Sequence, residues 1–102
     1  MKTKVFISQP MNGKTNEEII LERNLLIEKA KERYGDVEII DSFFKDAPHN
    51  AKPLWFLGKS IELLADADVA YFAKDWDKAR GCRIENQCAI SYGVEVVECY
   101  DY

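Results

Sequence analysis

The chain predicts an α/β protein: one Rossmann-like (flavodoxin-like) domain over residues 1–102, with a parallel four-stranded sheet in the order 2-1-3-4 and helices on both faces. Three observations lead there. Short apolar runs alternate with longer segments of helical period, beginning with a strand. Glycine or proline stands at the junctions, at Pro10, Gly13, Gly35, Pro53, Gly81 and Gly93. The length of 102 residues suits one domain and not two. Right-handed crossovers then leave few topologies, and the order 2-1-3-4 turns the loops after the first and third strands toward one crevice.

The elements follow in order. Lys4-Val5-Phe6-Ile7-Ser8 is a short apolar run that reads as a buried first strand. Gln9-Pro10-Met11-Asn12-Gly13-Lys14 is a loop, marked by Pro10 and Asn12-Gly13. Thr15 and Glu18 fit a capping box. The helix that follows carries Ile19, Arg23, Leu26, Ile27, Ala30 and Tyr34 on one face and Glu22, Glu28, Lys29 and Glu32 on the other, and Gly35 stops it. Val37 to Ile40 is the second strand. Asp41 to Lys52 is irregular, broken by Pro48, Asn50 and Pro53. Pro53 suits the first turn of a helix whose apolar side is Leu54, Leu57, Ile61 and Leu64. Val69 to Ala73 is the third strand. A helix from about Gly81 to Gly93 and a fourth strand, Val94 to Glu98, complete the series.

Composition narrows the function. A net charge of −4 argues against a nucleic-acid backbone partner, although Lys14 or Arg80 could still meet a single phosphate. No segment approaches membrane-spanning length, and Val5-Phe6-Ile7 is too short for the apolar region of a secretion signal. The three cysteines, Cys82, Cys88 and Cys99, match no zinc spacing and suit a reducing, cytoplasmic compartment. No metal and no organic cofactor is expected. So small a domain buries a limited share of its apolar surface, so a homo-oligomer is expected.

The chemistry concentrates in Asp75-Trp76-Asp77-Lys78-Ala79-Arg80-Gly81-Cys82-Arg83-Ile84-Glu85, between the third strand and the last helix. Glu85, in the first or second turn of that helix, is a carboxylate at the crevice and a candidate nucleophile or base; it could equally be an ordinary helix N-terminal acid. The loop from Gln9 to Lys14 could cradle a sugar or phosphate, or simply connect strand to helix. It ends in Gly13-Lys14-Thr15 but lacks the earlier glycine of a nucleotide-triphosphate loop. Trp76 could stack on a planar base or cover the sheet edge or a subunit contact. Phe43, Phe44, Trp55 and Phe56 read as core or interface residues before a base platform, and His49 as an exposed loop histidine. Asp68 should satisfy backbone donors at its strand start.

Val5-Phe6-Ile7-Ser8-Gln9-Pro10-Met11-Asn12-Gly13, Asp66-Ala67-Asp68-Val69-Ala70 and the run from Trp76 through Gly81 to Glu85, with Ala89 and Tyr92-Gly93 behind it, together resemble the nucleoside 2-deoxyribosyltransferase-like family. That group includes deoxynucleoside monophosphate N-glycosidases, and the resemblance covers nearly the whole chain. It implies that a glutamate, here Glu85, attacks the anomeric carbon of a 2-deoxyribose, the base leaves, and water or a second base resolves the covalent intermediate. The helix N-terminus is expected to keep Glu85 ionised. The resemblance also marks the positions that line the pocket: Phe6 where the family commonly has a tyrosine, Ser8, Gln9 in place of a glycine, Met11, Asn12, Gly13, Trp76, Ala79 where a phosphate-binding serine stands, Arg80 and Gly81. Ser60 occupies the place of the aspartate that helps the base depart, and is the second catalytic candidate. The implied partner is a small nucleoside or nucleotide, bound by a symmetric oligomer. The alternative is a nucleotide-binding sensor or regulatory module of the same fold without turnover.

Overall fold

The computed structural model of the protein describes residues 2–41 and 47–101. Strand β1 spans Thr3–Ser8, β2 Val37–Ile39, β3 Val69–Phe72 and β4 Glu95–Glu98; helix α1 spans Asn16–Tyr34, α2 Pro53–Leu64 and α3 Arg80–Ser91. All strand pairings are parallel and the order is β2-β1-β3-β4. The expected sheet is therefore present, with β1 and β3 at its centre. Their register sets Val5 beside Val69 and Ser8 beside Phe72. The chain runs from β1 toward one edge and from β3 toward the other, so the carboxyl ends of these two strands flank the switch point of the fold.

Side-chain alternation along β1 and β3 divides the core between two faces. Val5, Ile7, Val69, Tyr71 and Ala73 pack with Leu26 and Ala30 of α1. Phe6, Ala70 and Phe72 pack on the other face with Leu64 of α2 and Ala89 of α3. One helix thus covers the first face and two cover the second.

Local signals hold where the chain chemistry is strong. Thr15 and Glu18 close both halves of the capping box of α1. Pro53 opens α2. Asp68 accepts the backbone N–H of Lys4 at 2.8 Å, as a strand-start aspartate should. One face of α1 is as expected and the other is corrected. Arg23, on its inner face, is half-buried and donates from Nη2 to the Ile40 carbonyl at 3.3 Å. Its outer face is not purely charged: Ile20, Leu21 and Leu25 are exposed there, while Glu22 turns inward. In the loop after β3, Trp76–Lys78 form a 3-10 turn entered through Asp75 at φ 67°. Phe43 and Phe44 lie outside the described residues. Trp55 packs edge-on against Phe56 at 5.1 Å, at the start of α2.

Candidate functional site

Ser8 ends β1 and points to the face covered by α2 and α3, two residues on from the core residue Phe6. Its hydroxyl donates to Glu85 Oε1 at 2.7 Å. Ser60, in the second half of α2, supplies another hydroxyl to the same carboxylate. Three elements distant in sequence therefore converge on Glu85, which is only 8 % exposed. Both catalytic candidates, Glu85 and Ser60, are in one cluster.

The electrostatics correct the expectation about ionisation. Helix α3 begins at Arg80, so Glu85 is its sixth residue and sits beyond the first turn, where the dipole acts. Burial dominates instead and raises the Glu85 carboxyl above its ordinary value; hydrogen bonds from Ser8 and Ser60 oppose that rise without cancelling it. Glu85 is a carboxylate stabilised by hydroxyls in a desolvated place, not one held ionised by a helix end.

Cys82 was not foreseen in this cluster. It lies three residues before Glu85, hence on the same side of α3, and is buried. Burial pushes its thiol up to about 11; the Ser8 hydroxyl, which faces its sulfur, and Lys14 pull the other way. The i, i+3 spacing from Glu85 was the signal available in the chain. The other cysteines are also free thiols, Cys88 half-buried and Cys99 buried.

The first loop is held by a network that its sequence did not announce. Gln9 Nε2 donates to the Ile19 carbonyl at 3.0 Å and to Glu22 Oε1 at 3.1 Å. Lys14 Nζ pairs with Glu22 Oε2 at 3.1 Å. Glu22, expected on a solvated face, instead ties the loop to α1. Gly13 takes a φ of 76° in the turn closed by Lys14 N–H on the Met11 carbonyl. Met11, Asn12 and Gly13 are exposed, while Gln9 is buried with its amide donors engaged.

The remaining candidate residues are spread over β1, the 3-10 turn and the start of α3. Phe6 is buried in the core beneath Ser8. Trp76 packs on Phe72 at 5.7 Å, covering the second core. The Tyr100 hydroxyl approaches Trp76, but the buried indole Nε1 meets no acceptor at full hydrogen-bond geometry among the described residues. Ala79 is the half-buried N-cap of α3 and carries no side-chain cap; Arg80 is exposed. A Cβ added at Gly81 would meet nothing within 4 Å. A separate cleft of about 470 Å³ lies on the α1 face, lined by Lys29, Arg33, Tyr71, Val97, Cys99 and Tyr100 among others, and includes none of the expected site residues. Among the described residues no three or more His, Cys, Asp or Glu side chains are grouped as metal ligands would be. No described helix is long and apolar enough to cross a membrane.

Neither a protein-family model nor a curated protein matches this chain.

Proposed function

We propose that the protein cleaves, or transfers across, the N-glycosidic bond of a nucleoside or nucleotide, with Glu85 as nucleophile. One observation carries the reading: a buried carboxylate oriented by the Ser8 hydroxyl at 2.7 Å, at the carboxyl ends of the two central strands. Open α/β sheets bind ligands at that switch point. The resemblance to nucleoside 2-deoxyribosyltransferase-like proteins supplies the substrate class, and its nucleophile position coincides with this carboxylate. In the forward step a carboxylate oxygen of Glu85 bonds to C1′ and the C1′–N bond breaks. Water or a second base then takes the sugar and frees the carboxylate. The exposed Met11, Asn12 and Gly13 follow β1, and Ala79, Arg80 and Gly81 form the uncapped start of α3 after β3; we read these two segments as the rim of the ligand site.

A sensor without turnover is the second reading, and Ser60 favours it. The position where the resemblance expects a departing-group acid holds the hydroxyl of Ser60, which does not supply a proton as a carboxylic acid would. Among the described residues no second carboxyl group hydrogen-bonds to Glu85. We also read the protein as a cytoplasmic homo-oligomer, with the exposed Ile20, Leu21 and Leu25 as contact residues.

The test is incubation of the full chain with a panel of deoxynucleosides and their monophosphates, followed by chromatography for free base. Release that disappears in Glu85→Ala supports the enzyme. Ligand binding by calorimetry with no release in wild type supports the sensor, and release that survives Glu85→Ala removes the proposed nucleophile.

A further inference from the structure

Among the described residues, no counter-charge meets the buried Glu85. Its carboxylate accepts, among the described residues, from the neutral Ser8 hydroxyl at 2.7 Å, and the neutral Ser60 hydroxyl acts on it in the same sense. Among the described residues no Lys, Arg or His forms an ion pair with it. Lys14, on the facing loop, is taken by Glu22 at 3.1 Å. Arg80 and Arg83, on the same helix as Glu85, are exposed. The Cys82 thiol beside it stays neutral. A desolvated carboxylate in that position is stabilised by whatever cation reaches it. The chain's net charge of −4 favours the approach of one.

The leaving side has the same bias. A neutral base leaves as an anion unless an acid protonates it, and here the position that the resemblance gives to that acid holds the hydroxyl of Ser60, too weak an acid for the task. A base that carries a fixed positive charge needs no proton, because the electron pair of the breaking bond neutralises it.

We infer that the preferred substrates are N-glycosides of cationic bases, pyridinium or N-alkylated purinium nucleosides, whose positive ring supplies the counter-ion that Glu85 lacks among the described residues. This rests on the glycosidic reading above and specifies its substrate class. In the reaction the Glu85 carboxylate oxygen bonds to C1′ as the C1′–N bond breaks, and that bond's electron pair goes to the ring nitrogen, so a neutral base departs. The sugar ester of Glu85 is then opened by water, which leaves its oxygen on C1′ and releases one proton to solvent as the carboxylate returns.

The experiment compares the full chain on nicotinamide riboside and on inosine, and on their 2′-deoxy counterparts. Each rate is divided by the spontaneous rate of the same compound, with Glu85→Gln as blank. The expected result is an acceleration greater by about tenfold or more for the pyridinium member of each pair. Equal or greater acceleration of the neutral member overturns the inference and leaves the glycosidase reading intact. No acceleration of any compound over the Glu85→Gln blank overturns both.

Discussion

At the residue scale, Glu85 couples stability to pH. Its carboxyl is raised by burial, so folding favours the neutral acid. That contribution is full below the ordinary value of 4.5 and is lost as pH rises through the raised native value. Glu85→Gln is therefore expected to raise the melting temperature at neutral pH and to change it little in acid. Melting curves across pH will show whether the difference vanishes below the ordinary carboxylate range. Catalysis has the opposite dependence, because a nucleophile must be ionised, so the acid limb of kcat/KM should lie above that range. Ser8→Ala removes a donor from a buried carboxylate at a cost of about 1–3 kcal/mol. It should also move that limb to still higher pH, which a defect of packing alone would not do. Cys82, pushed up to about 11 and buried, should resist iodoacetamide in the native protein and react once it is unfolded. Mass mapping of early alkylation at Cys82 would contradict its place beside Glu85. Of this residue-level detail, the position of Glu85 was legible in its strand–loop–helix context. Its protonation was not, because desolvation depends on packing by Ser8 and Ser60 from elsewhere in the chain.

At the element scale, α2 and α3 each contain a glycine with ordinary helical space around it. A Cβ at Gly58 would meet nothing within 4 Å. Gly58→Ala in the interior of α2 is thus expected to stabilise the protein by about 0.5–1 kcal/mol, read from chemical denaturation. Boundaries were legible wherever a capping residue acts locally, as at Thr15, Pro53 and Gly35. The inner and outer faces of α1 were less so. Glu22 has the helical spacing of a solvent residue, yet Gln9 and Lys14 from the preceding loop draw it inward. No periodicity within α1 carries information about a loop's donors.

At the scale of the whole molecule, α1 spans the sheet and reaches its far edge. The Tyr34 hydroxyl donates to Glu95 Oε1 of β4, and its ring meets Tyr71 of β3 edge-on at 6.4 Å. Burial first, then Glu95, pushes the Tyr34 hydroxyl up to about 12. The bond ties the last turn of α1 to the edge strand. Tyr34→Phe keeps the ring contact and loses the tie, for an expected cost of about 0.5–1.5 kcal/mol and faster amide exchange in β4 than in β1. Unchanged exchange in β4 would mean that the strand is held by its pairing with β3 alone.

Taken by itself, the order of residues in this chain settled the alternation of strands and helices, the parallel sheet, and the point where β1 and β3 part company. These depend on local periodicity, capping and the handedness of crossovers, all of which act over short stretches. Tertiary structure decided the surroundings of Glu85: the hydroxyls from β1 and α2, the thiol one turn away, and the Lys14–Glu22 pair that keeps a cation engaged elsewhere. The physical reason is distance along the chain, since Ser8 and Glu85 are separated by 77 positions and meet only when the sheet forms.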